Sequence, residues 1–419
     1  MSDVLTFTAE HWRAALPIGV VGALSWSIWL IRKVMSTRYR SLVNDFRTTT
    51  SVVVPSFRED PDVLDRCLDT WLAQDPTEVI VVLDVQDDEA FRRLTARTDA
   101  RLTVVSFAHE GKRSALGVGI RAATSELLVL CDSDTNWQPG LLDAVQMPFV
   151  DPAVGAVGTR QNVHLPTSSI WRRVADWIID LRYLDYVPAT SLAGAVVCVS
   201  GRTAAYRRSA VLPVLENLEH EFFMGRRCIA GDDGRLTWLV LASGYRTVHQ
   251  DSARALSMFP STFRAFCKQR IRWSRNSYRC YLTAAWKGWL WRVPLVSQIT
   301  VLQILFTPVT MFAAVYYVAA SGFGDSGWIA LVLSLSWVFV GRAIRSVSHL
   351  RRRPSDLLIL PLVALVIAMV ALPIKTYAFL TMNKQGWLTR RADLTGGEGQ
   401  DEASLTSTPA GAPVPAVSS

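Results

Sequence analysis

Histidine and cysteine are scarce, six of each in 419 residues, and they do not gather. Cys67, Cys131, Cys198, Cys228, Cys267 and Cys280 form no CxxC pair and stand in no His-containing metal spacing. That excludes a structural zinc site and a disulfide framework, and it reads as reduced cytosolic thiols. Charge is thin too. Asp, Glu, Lys and Arg make up 19% of the chain, and 44 Lys and Arg stand against 36 Asp and Glu, a balance of +8. Much of that excess lies beside apolar runs, at Arg32, Lys33, Arg38 and Arg40, over 342–353 and over 384–391. Cytoplasmic flanks of membrane segments are basic in this way, so no nucleic-acid partner is expected. A basic leader is missing as well. Before the first apolar run, residues 14–31, the only cation is Arg13, with Asp3 and Glu10. The run therefore reads as an uncleaved anchor with its N-terminus outside, not as a signal peptide.

What is present is grease. Half the residues are hydrophobic and mean hydropathy is +0.21, which points to a membrane protein, partnered by the lipid bilayer. Residues 1–49 are expected to form the N-terminal anchor and a basic linker, 50–257 a cytosolic domain and 258–292 interfacial helices. A transmembrane hairpin follows over 293–345, then an interfacial or re-entrant segment over 346–391 broken near Pro373, and a disordered tail over 392–419. Inside the cytosolic block, short Val, Leu and Ile runs at 51–55, 78–83, 102–107 and 127–131 alternate with helical patterns at 63–74 and 114–124. That series predicts a doubly wound α/β domain with its chemistry at the carboxyl ends of buried parallel strands.

The distinctive residues fall at those ends. Pro55-Ser56-Phe57-Arg58-Glu59-Asp60 follows the first strand, Asp84 the second, and Asp132-Ser133-Asp134 the fourth. Alone, Asp-x-Asp recurs by chance and commonly marks a turn or cap. After a buried strand, two carboxylates so spaced suit a hard divalent cation that also takes diphosphate oxygens. Lys112 and Arg113 offer an ammonium and a guanidinium for the same diphosphate, or simply an exposed basic turn. In Gly231-Asp232-Asp233-Gly234, either Asp caps the helix that follows or one is a general base. Gln269-Arg270-Ile271-Arg272-Trp273 sits in a basic, aromatic stretch just before the membrane. An interfacial helix explains that composition but not the spacing of Gln, Arg and Trp.

In that order these residues resemble the processive membrane-bound family 2 glycosyltransferases, and within them the hyaluronan synthase, chitin-oligosaccharide synthase and bacterial capsule synthase group. The likeness runs from Thr50 to about Arg391. Trp387-Leu388-Thr389-Arg390 is similar to the group's gating motif, with Leu388 in place of a glycine. The resemblance implies a GT-A-type domain in which Ser56, Phe57, Glu59 and Asp84 hold uridine, and Lys112 and Arg113 the nucleotide. Asp132 and Asp134 would hold Mg2+ or Mn2+ with the donor diphosphate. It implies that Asp233, with Asp232 as rival, is the base, and that Gln269, Arg270, Arg272, Arg275, Trp387 and Arg390 serve the donor. Ser200, Gly201, Arg202 and Trp273 would face the acceptor.

The implied function is an inverting polymerase that draws on UDP-sugar donors and extrudes a growing polysaccharide. A non-processive lipid-linked sugar transferase shares the Asp-x-Asp loop but generally lacks Gln-x-x-Arg-Trp, and a transporter or sensor would not need Asp233. Arg202 departs from the family, whose members carry a small uncharged residue and a proline there. A guanidinium beside the acceptor either faces solvent or an acidic neighbour, or reads a uronic-acid carboxylate, implying an acidic product ahead of cellulose or chitin.

Overall fold

The computed structural model describes residues 19–108, 110–321 and 327–386. Its centre is an eight-stranded mixed sheet in the order β3-β2-β1-β4-β7-β6-β10-β5. The strands are β1 (Thr50–Ser56), β2 (Glu78–Asp84), β3 (Leu102–Phe107), β4 (Leu127–Cys131), β5 (Thr135–Trp137), β6 (Val154–Val163), β7 (Thr203–Arg207) and β10 (Arg246–Ser257). A small hairpin, β8 (Phe222–Phe223) and β9 (Arg226–Arg227), stands apart. The four strands expected from apolar runs are present and mutually parallel. The doubly wound α/β reading is corrected in one respect: the sheet is mixed, because β7 enters antiparallel between β4 and β6 and β5 pairs antiparallel with β10.

Strand periodicity divides the core. Val53, Ile80, Val82, Leu128 and Leu130 point to one face, and Val52, Val54, Val79, Val81, Leu127 and Val129 to the other. Helices cover both faces, so each such side chain is removed from water, at about 1.5–3 kcal/mol apiece. The helix Pro61–Leu72 starts at Asp60, whose carboxylate accepts from Asp62 N and Val63 N, and it buries Leu64, Leu68 and Trp71. None of the six cysteines forms a disulfide.

The register of β7 carries the consequence that matters for the site. Cys131 lies opposite Thr203, so the segment entering β7 meets the segment leaving β4, and Asp132 N donates to Arg202 O at 3.1 Å. Long helices stand on either side of the sheet in sequence. The helix Gly19–Arg38 precedes the sheet, and Phe263–Trp286, Leu295–Ser321 and Gly327–Arg345 follow it. Among the described residues, one stretch, Leu295–Ala313, is long and apolar enough to cross a membrane. The expected break near Pro373 takes another form: helical structure runs from Leu360 to Leu380 with a π turn at Val366–Val370. A proline lacks the N–H that the preceding turn would need, and a π turn just before it absorbs the mismatch.

Helix Ile170–Leu181 clasps the segment that follows Gly327–Arg345 to the sheet. His349 is hydrogen-bonded through Nδ1 to Asp180 at 2.9 Å and through Nε2 to Asp356 at 2.7 Å. It packs on Trp177, whose Nε1 donates to Ser346 Oγ at 2.9 Å.

Candidate active site

A cavity of about 1850 Å3 opens at the carboxyl ends of β1 and β4 and runs on between the helices of the 295–345 region. It brings together Phe57, Glu59, Lys112, Asp132, Asp134, Ser200, Gly201, Arg202, Asp232, Asp233, Gln269, Arg270, Arg272 and Trp273.

Glu59 ties two of the loops, accepting from Asp60 N at 3.0 Å and from Ser133 Oγ at 3.2 Å. Lys112 begins the helix Lys112–Ala122 and reaches across to Asp132 Oδ1 at 2.7 Å and Asp232 Oδ2 at 3.1 Å. Burial alone would depress this ammonium, but the facing carboxylates outweigh it and hold it above its ordinary value. Asp132 and Asp134 supply hard oxygens at the lip of the cavity, and the Lys112 ammonium already marks a place where positive charge is favoured. A hard divalent cation fits that donor set.

Asp232 and Asp233 open the helix Asp232–Ala242. Gly231, before them, sits at φ +74°, and a Cβ there would lie 2.9 Å from Asn276 Cγ. The left-handed turn and the close approach both require glycine. Gly201 is confined less severely, a Cβ there meeting Asp232 Oδ2 and Asp233 Cβ at 3.2 Å. Asp233 Oδ1 accepts from Gly234 N at 2.8 Å, and Cys198 Sγ lies 3.8 Å from Oδ2. Burial, and then the neighbouring Asp232, push the Asp233 carboxyl above the usual carboxylate range. A raised proton affinity of this kind suits a carboxylate that is to accept a proton.

Several expected residues are placed elsewhere. Arg113, expected at the nucleotide, is buried as a brace outside the cavity wall. It donates to Glu221 Oε2 at 2.6 Å, Ala230 O at 3.1 Å, Leu218 O at 3.1 Å and Gly231 O at 3.2 Å. Arg235 shares the same carboxylate at 3.2 Å. The pair holds the loop that presents Asp232 and Asp233. Arg275 points away from the cavity, to Thr381 Oγ1 at 3.0 Å and the Tyr377 ring at 5.4 Å. Ser56 and Asp84 are buried at the ends of β1 and β2, off the cavity lining. Asp84 Oδ1 accepts from Gln86 N at 2.9 Å. Trp387 and Arg390 lie outside the described residues. The segment leading to them is docked at the site, because Arg279 donates to Met382 O and Lys384 O, and Ile229 N donates to Gln385 Oε1 at 3.0 Å.

The guanidinium of Arg202 is turned onto aromatic rings rather than into open solvent. It stacks at 4.0 Å on Phe259 and 5.2 Å on Trp273. Burial lowers its proton affinity, and the charges of Asp134 and Asp132 partly restore it. Phe259, Cys198 and Arg182, which donates to Cys198 O at 2.8 Å, carry no sequence signal. Only the fold brings them here.

A second cluster, Asp176, Asp180 and His349, holds its ligand atoms within 4.8 Å of one another. These groups are already engaged. Asp180 takes Arg160 at 3.2 Å and Arg352 at 2.5 Å, Asp176 takes Arg353 at 3.1 Å, and His349 is shared between Asp180 and Asp356. So many guanidiniums repel a divalent cation, and the cluster is an ion-pair clasp.

The family model described as "Glycosyltransferase like family 2" matches residues 47–276. An N-acetylglucosaminyltransferase of Rhizobium leguminosarum bv. viciae is 30% identical over 355 residues, covering 82% of this chain and 81% of that protein. A hyaluronan synthase of Streptococcus pyogenes is 24% identical over 387 residues, covering 89% and 91%. Among solved structures, a mannosyltransferase from Pyrobaculum calidifontis in complex with GDP-Man and Mn2+ superposes with a TM-score of 0.58 at 20% identity, covering 88% of this chain and 99% of that one. The shared architecture is the GT-A-type α/β fold.

Proposed function

Since the chain belongs to glycosyltransferase-like family 2 and is a glycosyltransferase, we propose that it is a processive, inverting β-glycosyltransferase. It would polymerise UDP-sugars and extrude the polysaccharide across the plasma membrane. The observation that carries this reading is the continuity of one cavity from Asp233 to Thr300, Gln303 and Thr307 on the helix that is apolar enough to span. A transferase that released each product to the cytosol would have no use for a path in that direction.

In this mechanism Phe57 and Glu59 flank the nucleoside, with Ser56 and Asp84 behind them. Lys112 holds the diphosphate by charge, released from Asp132 or Asp232 as the donor enters. Mg2+ or Mn2+, held by Asp132 and Asp134, supplies further positive charge against the leaving diphosphate when bound. The mannosyltransferase neighbour, with its nucleotide-sugar and Mn2+, supports that part. Asp233 takes the proton of the acceptor hydroxyl as its oxygen attacks the anomeric carbon, which inverts the donor's α linkage to β. Arg272 stabilises the departing UDP, and Trp273 stacks on the acceptor sugar.

The product in this reading is acidic, hyaluronan-like or capsule-like, and contains glucuronic acid, supported by Arg202 on the cavity wall beside Trp273. A neutral chitin-type product is the second reading, favoured by the 30% identity to an N-acetylglucosaminyltransferase. Incubating purified protein with single and paired UDP-sugars and a divalent metal decides between them. The acidic reading expects a high-mass smear only with a UDP-glucuronic acid pair. A polymer from UDP-N-acetylglucosamine alone supports the neutral one.

A further inference from the structure

A second cleft, of about 340 Å3, lies outside the central cavity, between the helices Leu215–Glu219, Asp232–Ala242 and Phe263–Trp286. Its wall carries Glu216, Asn217, His220, Glu221, Arg235 and Lys287, none of which lines the larger cavity. Arg235 is its buried cation, 3% exposed, and the Nε and Nη1 of this side chain meet no acceptor among the described residues. Its Nη2 stands 3.2 Å from Glu221 Oε1, a carboxylate that Arg113 also holds, through Oε2 at 2.6 Å.

Positive charge gathers here beyond what the carboxylates answer. The Arg235 guanidinium lies 5.0 Å from the Trp289 ring, and the ammonium of exposed Lys287 lies 5.2 Å from the same ring. One indole thus draws two cations to the cleft, and a third, Arg113, stands behind Glu221. Glu221 is divided between two guanidiniums, while Glu216 is exposed at the rim, where salt screens it. Burial lowers the proton affinity of Arg235, and Glu221 restores it only in part. A buried guanidinium with open donors is costly until an acceptor arrives. A tetrahedral oxyanion offers acceptors to the guanidinium fork and to the ammonium at once, and Asn217 and His220 add neutral donors.

We propose that this cleft is a second, non-catalytic anion site that takes inorganic phosphate or a small phosphate monoester on Arg235 and Lys287. Its place in the fold ties it to the base. Asp232 and Asp233 open the helix that carries Arg235, and Arg113 donates to Ala230 O and Gly231 O just before them. An anion on Arg235 draws that guanidinium from Glu221 and leaves the carboxylate to Arg113, so an occupied cleft resets the brace on the loop that presents Asp233. The site acts on transfer from behind, and it is independent of which sugars are used or whether a polymer forms.

The test is a titration of the detergent-purified full chain with sodium phosphate against sodium chloride of equal ionic strength, read as melting temperature and, at saturating donor, as the rate of UDP release. Phosphate should raise the melting temperature by about 2–4 °C at saturation and change kcat over the same concentration range. Glucose 1-phosphate, titrated alongside, separates the two sources, since the tighter of the pair names the ligand. Lys287→Gln should weaken phosphate about tenfold with basal turnover and melting temperature unchanged, and Lys287→Arg, which keeps the charge, should lose less. Lys112→Met should leave the phosphate response in place. No shift beyond that of chloride overturns the proposal. An equal shift in wild type and Lys287→Gln does so too, because phosphate would then be stabilising the fold by exclusion from its surface. Loss of the response in Lys112→Met would put the anion at the donor diphosphate's place instead. A response to phosphatidic acid vesicles with none to either soluble phosphate would make the ligand a lipid and likewise overturn it. Binding that leaves kcat unmoved overturns the coupling to the loop.

Discussion

Replacing Lys112 by methionine keeps the length of the side chain and removes its charge. At 2.7 and 3.1 Å from Asp132 and Asp232, an effective dielectric of 20 puts the two attractions at about 6 and about 5 kcal/mol. Taking the ammonium and carboxylates out of water offsets much of that. Losing one partner of a buried cluster still costs roughly 3–5 kcal/mol, because the carboxylates stay behind unpaired. Lys112→Met should therefore lower the melting temperature of the detergent-purified protein by roughly 10 °C. The folded-state proton affinity of Lys112 is raised, so its contribution is fully present below the unfolded pKa of about 10.4 and fades only above it. The deficit of the variant should accordingly stay constant between about pH 6 and pH 9. Added Mn2+ should recover part of the loss in Lys112→Met and raise the wild type less, because a cation that binds only the folded state stabilises it by mass action. A melting temperature within about 2 °C of wild type would refute the accounting, as would a deficit that disappears by pH 8.

Asp233→Asn should cut turnover by roughly two to four orders of magnitude with UDP binding retained, checked by UDP release and by calorimetry. Asp232→Asn removes the charge that helps raise Asp233, so the acidic limb of its rate profile should move to lower pH. An unmoved limb would take the base role from Asp233. Asp132→Ala and Asp134→Ala should each abolish the response of activity to Mg2+ or Mn2+ and weaken UDP binding, and full wild-type activity in excess EDTA would contradict this. Gly231→Ala forces a Cβ into a left-handed turn 2.9 Å from Asn276 and should cost at least about 1–2 kcal/mol of stability, read from denaturant midpoints.

The first half of the sheet was legible because β1, β2 and β4 are buried on both faces and show as unbroken apolar runs. β6, β7 and β10 were not. Strand β10 carries His249, Gln250, Asp251 and Arg254 among its apolar residues, and its place is fixed by pairing with β6, far off in sequence. At the site, motif order located the carboxylates but not which way adjacent side chains point. Lys112 and Arg113 begin one helix about 100° apart, so one reaches the cavity and the other braces Glu221. Arg270 and Trp273, three residues apart, share the cavity face of Phe263–Trp286, while Arg275 turns to helix Ala371–Leu380. Cys198 and Phe259 had no motif to announce them.

The docking of Gln385 on Ile229 makes one mechanical unit of parts that are distant along the chain. Helix Ala371–Leu380 lines the cavity through Ala371, Ile374 and Lys375 and continues into the segment held by Arg279 and Ile229. The residues just after Ile229, Ala230 and Gly231, carry the turn into Asp232 and Asp233. A stroke of that helix along its axis would drag on Ile229, and a shift of the loop would pull on the helix. In the proposed polymerase, translocation of a finished linkage and resetting of the base for the next one would be geared together through these few hydrogen bonds, in the manner of a clutch.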